Sequence, residues 1–137
     1  MAYWLVKSEP GTWSWEDQQR DGTTYWDGVR NYQASNNLKA MRLGDLAFFY
    51  HSVTEKRIVG IVEVVREYYP DPSDESGRFG MVDVKAVEPF PQPVTLAEIK
   101  AEPRLAEMAL IRQSRLSVMP VSEEQWRIIA GMGGVKV

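Results

Sequence analysis

Short apolar runs separated by turn residues fill the first two-thirds of this chain, and helix-spaced apolar residues dominate the last third. "AYWLVK" is an aromatic and β-branched run halted by "SEPG", which predicts an opening strand that delivers Lys7 and Ser8 to a sheet edge. "TWSWEDQQRDG" offers Thr12 or Ser14 as a helix cap, carboxylates in the first turn and Gly22 as a stop, so a short helix is expected there. "NYQASNNLKAMRLGD" carries Tyr32, Leu38 and Met41 at helical spacing and is closed by Gly44 and Asp45.

The pattern then changes to strands. "DLAFFYHS" and "RIVGIVEVVREYY" are rich in β-branched and aromatic residues, with "VTEK" as the hairpin connection. "GMVDVKAVEPF", after the turn-rich "PDPSDESGR", is a third strand of an antiparallel meander. Further on, "TLAEIK" starts with a threonine cap, "PRLAEMAL" has Leu105, Met108 and Ala109 at helical spacing, and "SEEQWRII" combines a serine cap with early glutamates. "RLSVMPV" reads as an extended return to the sheet, and "GMGG" as a flexible end. With no repeat, low-complexity tract or linker, the expectation is one α+β domain whose curved, barrel-like sheet carries peripheral helices.

A length of 137 residues with 44% apolar content and five tryptophans suits a single packed core. The absence of cysteine excludes disulfides, thiolate zinc sites and cysteine nucleophiles. "MAYWLVKSEP" lacks the basic and apolar regions of a signal peptide, and no apolar run approaches the roughly 20 residues that span a bilayer, so a soluble cytoplasmic protein is expected. The net charge of −3 does not advertise a polyanion partner. Its distribution is uneven: Arg30, Lys39, Arg42, Lys56 and Arg57 make one basic stretch, Arg104, Arg112 and Arg115 make another, and residues 63–76 are acidic.

Catalytic constellations are sparse. His51 is the sole histidine and belongs to no metal-ligand spacing, and "FYHS" suggests a strand end or a hydrogen bond to a neighbour. A triad from Ser8 or Ser52 with His51 has no "GxSxG" elbow to aim it. The glycines form neither a phosphate loop nor a dinucleotide fingerprint. Asp71 and Asp74 lie in a turn-rich segment where carboxylates are expected to stay solvated, away from a catalytic pKa range.

What is left is an excess of aromatic and amide side chains near turns. Trp4 and Trp126 read as core residues. Trp13, Trp26, Tyr32 and the Tyr68–Tyr69 pair have polar or turn-forming neighbours, which suits rings at the mouth of a pocket. A base stacked on such a ring gains about 1 to 3 kcal/mol, while serine, asparagine or backbone groups read its polar edge.

The strings "YWLVKSEP", "WDGVRNYQASNNLKAM", "GDLAFFYHS", "GIVEVVREYYPDP" and "RLSVMPVSEEQW", in this order across essentially the whole chain, closely resemble the EVE domain. That family falls in the PUA-like superfamily with the YTH, ASCH and SRA domains. The resemblance implies a PUA-like pseudobarrel of five to six mainly antiparallel strands surrounded by short helices. It also implies a non-enzymatic reader of a modified nucleobase, with a modified cytosine in DNA as the leading reading and modified RNA or tRNA as the alternative.

An enzyme acting on a nucleotide in the same pocket, through His51 or Ser52, is the competing class, and a peptide-binding groove a third. Carried over from YTH readers, Lys7 and Ser8 face the base edge and Trp26 is one wall of an aromatic cage. Tyr68 or Tyr69 takes the place of the second wall. Arg30 and Asn31 line the pocket or touch a phosphate, and Arg112 with Ser117 closes its far side. The expected base-binding set also includes Trp13, Tyr32, His51 and Ser52, and the phosphate-binding set is Arg30, Lys39, Arg112 and Arg115. No metal or cofactor is expected; a separate nuclease or modification enzyme is the expected kind of effector.

Overall fold

The computed structural model describes residues 1–135. Six strands form one sheet in the order β2-β5-β4-β3-β1-β6. They are β1 (Tyr3–Ser8), β2 (Thr23–Tyr25), β3 (Leu46–His51), β4 (Arg57–Pro70), β5 (Gly80–Thr95) and β6 (Val118–Val121). β3, β4 and β5 make the expected antiparallel meander. β1 runs parallel to β3 and antiparallel to β6, so the pairing is mainly antiparallel with one parallel seam. Register shifts interrupt the β3–β4 and β4–β5 ladders, and such bulges bend strands toward a barrel.

Both faces of the central strands are covered. Phe48 and Phe49, adjacent on β3, are fully buried, and adjacent strand residues point to opposite faces. Phe48 stacks on Trp126 at 3.8 Å between ring centroids and meets Phe90 edge-on at 5.5 Å. Phe49 instead meets the edges of Trp15 at 5.3 Å and Trp26 at 5.5 Å. This double burial explains why β3 is a continuous apolar run instead of an alternating one. It also divides the molecule, with the C-terminal helix on the Phe48 face and the tryptophan-rich turns on the Phe49 face.

Local cap chemistry sets the helices. α1 (Trp15–Asp21) and α5 (Glu123–Met132) begin with capping boxes, Ser14 with Asp17 and Ser122 with Gln125. α3 (Leu96–Ala101) begins with the box formed by Thr95 and Glu98. α2 (Tyr32–Ala40) is capped by the Asn31 side chain, which accepts from the Ala34 N–H. Its Asn37 amide donates to Val118 O at 2.7 Å, fastening α2 to β6. Buried Asp45 gathers the Ala2 and Arg42 N–H groups and the Trp4 indole N–H, tying the first strand to the turn before β3.

Two expectations need correction, and one element was not anticipated. The stretch 103–110 is not one helix but a 3-10 turn (Pro103–Leu105) followed by α4 (Ala109–Arg112). Glu102 is extended, as the residue before a proline prefers, and Met108 is extended again just before α4, so the two turns do not join into one helix. "GMGG" is a packed helix end: Gly133 donates to Ile129 O, accepts from Gln92 N and lies against the Phe90 ring, where no Cβ would fit. Finally, β2 is a strand of three residues held by β5, too short to register as a pattern.

Candidate nucleic-acid interface

On the Phe49 face, a cavity of about 470 Å³ opens between the end of β1 and the turn after β2. Trp13 and Trp26 line it with Lys7, Ser8, Glu9 and Thr12 from one side and Thr24, Tyr25 and Asp27 from the other. The first side is shaped by Ser8, whose hydroxyl donates to Trp13 O at 2.6 Å while the Thr12 and Trp13 N–H groups both turn back to Glu9 O. The Trp13 indole N–H donates to Gln18 Oε1 at 2.9 Å. Gln18 is fully buried, and its amide nitrogen donates to Gly22 O and Val84 O, so the Trp13 ring is anchored through α1 to β5. Trp26 is 8% exposed, held by its N–H to Val82 O at 2.7 Å and braced on the Phe49 ring.

Charge at this cavity is mixed. Lys7 is half-buried, burial depresses its ammonium below the ordinary lysine range, and Nζ donates to Ser114 O at 2.8 Å. Glu9 and Asp27 supply two carboxylates. The turn leaving Trp26 is fixed by Asp71, which accepts from the Gly28 N–H at 2.9 Å, from Arg30 Nη1 at 3.1 Å and from Ser73. Asp71 is 2% exposed, contrary to the solvated carboxylate expected from its turn-rich surroundings. Burial pushes its carboxyl upward, but the Ser73, Gly28 and Arg30 hydrogen bonds outweigh that and hold it at about 2.

A second cavity of about 350 Å³ is lined by Asn31, Gln33, Gln113, Ser114, Arg115 and Leu116. The Lys7 Nζ to Ser114 O bond links a residue of the first cavity to a residue of the second.

With this geometry in place, the EVE domain family model matches residues 2–132. The chain belongs to the EVE domain family. It is 37% identical to thymocyte nuclear protein 1 of Gallus gallus over 165 residues, covering 96% of this chain and 68% of that protein. The EVE chain also superposes on a protein from Rhodopseudomonas palustris with a TM-score of 0.93 at 57% identity, covering 98% of this chain and 94% of that one. Human THYN1, crystallised in complex with 5-methylcytosine-containing DNA, matches at a TM-score of 0.90 and 36% identity over all of both chains. An ASCH protein of Zymomonas mobilis shares the fold alone, at a TM-score of 0.61 and 10% identity, covering 96% of this chain and 95% of that one. The α+β, PUA-like architecture is therefore shared by this EVE chain and human THYN1 and, as a fold alone, by the ASCH protein.

The EVE fold gathers only part of the expected site. Lys7, Ser8, Trp13 and Trp26 meet at the first cavity, and Asn31 and Arg115 meet at the second. The other expected residues are engaged elsewhere. His51 is buried, accepts the Trp15 N–H at Nε2 and donates from Nδ1 to Glu55, so neither nitrogen is free for substrate chemistry. Ser52 gives its backbone N–H to Ser8 O.

The proposed second wall is displaced as well. Tyr68 packs on Gly80 beneath the Lys39 ammonium, and Tyr69 donates to Asp83 with Arg66 over its ring; neither lines the cavity. Burial, reinforced by Asp83, pushes the Tyr69 hydroxyl up to about 12. Tyr32 leans on Phe79, Ser117 uses its carbonyl to accept the Lys7 N–H, Arg30 is held by Asp71 and Arg112 by Glu107. Sequence reasoning missed Glu9, Thr12, Thr24, Tyr25 and Asp27 at the first cavity and Gln33, Gln113 and Ser114 at the second. The β-branched and aromatic "TTYW" before "DG" was the one available signal.

Proposed function

We propose that this EVE domain is a non-enzymatic module that takes a modified nucleobase, a modified cytosine in DNA, into the cavity lined by Trp13 and Trp26. The carrying observation is that cavity: two indoles with Lys7 and Ser8 in a space of about 470 Å³, within the range of small-molecule sites. Membership of a family whose human relative was crystallised with 5-methylcytosine-containing DNA supports the polymer and the base.

The two walls contribute unequally. Trp26 is a core residue that offers the cavity only the small part the core leaves open, whereas Trp13 is partly exposed and offers more. Stacking on such a surface is worth about 1 to 3 kcal/mol, while extruding a base from a duplex costs a few kcal/mol. Single strands and destabilised duplexes are thus the favoured substrates. The edge of cytosine presents the N4 amino donor and acceptors beside it, and the cavity supplies carboxylates at Glu9 and Asp27 and a donor at Lys7. Burying a 5-methyl group adds about 0.8 kcal/mol, a preference of about fourfold over unmodified cytosine.

The test is titration of single-stranded oligonucleotides carrying cytosine, 5-methyl-, 5-hydroxymethyl- or N4-methylcytosine at one position, as DNA and as RNA, at two salt concentrations. Modification-dependent binding that persists at the higher salt supports a base reader. Binding that ignores the modification and fades with salt would reduce the interaction to phosphate attraction, and preference for the RNA series would transfer the reading to RNA.

A further inference from the structure

We infer that the second cavity is a phosphodiester subsite, holding the backbone of the nucleotide adjacent to the recognised base, with Arg115 as its cation. The inference rests on the base-reader proposal for the first cavity and extends it to a residue and a ligand group.

Continuity is the first argument. The segment 26–33 lines both cavities, with Trp26 and Asp27 in the first and Asn31 and Gln33 in the second. On the opposite bank, Lys7 of the first cavity is hydrogen-bonded to Ser114 of the second. A strand whose base enters between the indoles is therefore led along 26–33 into the second cavity, past the Lys7 ammonium.

Chemical contrast is the second argument. The first cavity contains the Glu9 and Asp27 carboxylates, which repel a phosphodiester but accept from a base amino group. Among the described residues no carboxylate lines the second; it offers the Arg115 guanidinium, the Gln33 and Gln113 amides and the Asn31 amide nitrogen. Asn31 uses its side-chain oxygen to cap α2, so its nitrogen is left as a donor. The cavity also lies at the start of α2, nine residues long, where the N–H groups ahead of the capped Ala34 have no intrahelical partner and the helix dipole favours an anion.

Selection among the cations is the third. Arg30 is committed to Asp71 and Ser73, and Arg112 to Glu107. Arg115, by contrast, is exposed, lines the cavity and is held by no carboxylate among the described residues.

The test compares 5-methyl-2′-deoxycytidine, which has no phosphate, with a single-stranded DNA hexamer containing one 5-methylcytosine, using wild type, Arg115→Gln and Arg115→Lys. Arg115→Gln should weaken the hexamer about tenfold, make the plot of log affinity against log salt shallower by about 0.7, and leave nucleoside binding unchanged. Arg115→Lys should restore the salt slope. An Arg115→Gln protein that keeps the hexamer affinity and slope overturns the subsite, as does one that weakens nucleoside and hexamer equally. Failure of the base reading shows separately, as a wild-type protein that binds methylated and unmethylated hexamers alike; absence of any wild-type binding overturns both.

Discussion

Replacing Gln18 with methionine should separate the support of the Trp13 wall from the wall itself. The side chain is fully buried and makes three hydrogen bonds: it accepts from the Trp13 indole at 2.9 Å and donates to Gly22 O at 3.0 Å and Val84 O at 3.4 Å. Methionine matches its length but makes none of them. Gly22 O keeps its bond from the Ala86 N–H at 2.8 Å, Val84 loses only the long bond and stays paired with Thr24 in the ladder, and the partly exposed Trp13 indole can turn to water. Two good bonds and one long one, at about 1 kcal/mol each for the good pair, give an expected loss of about 2 kcal/mol in stability. The freed Trp13 ring must then be ordered on binding, at about 0.5 to 1.5 kcal/mol, which weakens base binding about two- to tenfold. Urea unfolding and anisotropy titration of a 5-methylcytosine oligonucleotide measure the two effects. Lower stability with unchanged affinity would refute the positioning of Trp13 through Gln18.

Other consequences follow from particular contacts. Gly60→Ala should destabilise by about 1 to 3 kcal/mol, since its Cβ would lie 2.5 Å from the Trp15 ring, whereas Gly11→Ala, with nothing within 4 Å, should be close to neutral by the same denaturant assay. Asp71, held at about 2 when folded against about 3.9 unfolded, contributes about 2 to 3 kcal/mol above its unfolded pKa, and this is lost as pH falls through about 2. Unfolding of Asp71→Asn across pH 2 to 6 should therefore show a shallower acid-side decline than wild type, the remainder coming from other carboxylates held below their ordinary range, such as Asp45, Glu55 and Asp74, and parallel curves would contradict the assignment.

Legibility in the sequence followed locality. The meander and the caps at Ser14, Thr95 and Ser122 could be read because strand pattern and cap chemistry lie within a few neighbouring residues. The parallel β1–β3 seam joins residues more than forty apart, which no local pattern encodes. β5 runs on through Pro89, Pro91 and Pro93, residues that argue against a strand; β2 ends its pairing at Lys85, so no strand outside loses a ladder bond to them.

At the site, the motif strings drew attention to Lys7, Ser8 and Trp26, and polar, turn-forming neighbours drew it to Trp13; these four line one cavity, whereas the second wall was sought at Tyr68 and Tyr69, which do not. Those rings serve the β4–β5 end, and the residues that instead meet Trp26 come from the turn folded back by Ser8. His51 looked available because its partners are a backbone N–H at Trp15 and a carboxylate at Glu55, and only the fold brings the former to it.

Trp26→Ala would mix recognition with stability, because its ring is braced on Phe49 in the core. Trp13→Ala is the cleaner perturbation. The most direct measurement is anisotropy titration of wild type and Trp13→Ala with a labelled single-stranded DNA carrying one 5-methylcytosine, beside the same DNA with cytosine. The base-reader account predicts that wild type prefers the methylated strand and that Trp13→Ala, still folded, loses about 1 to 3 kcal/mol of its binding to that strand. A folded Trp13→Ala protein that binds the methylated strand as tightly as wild type would contradict it.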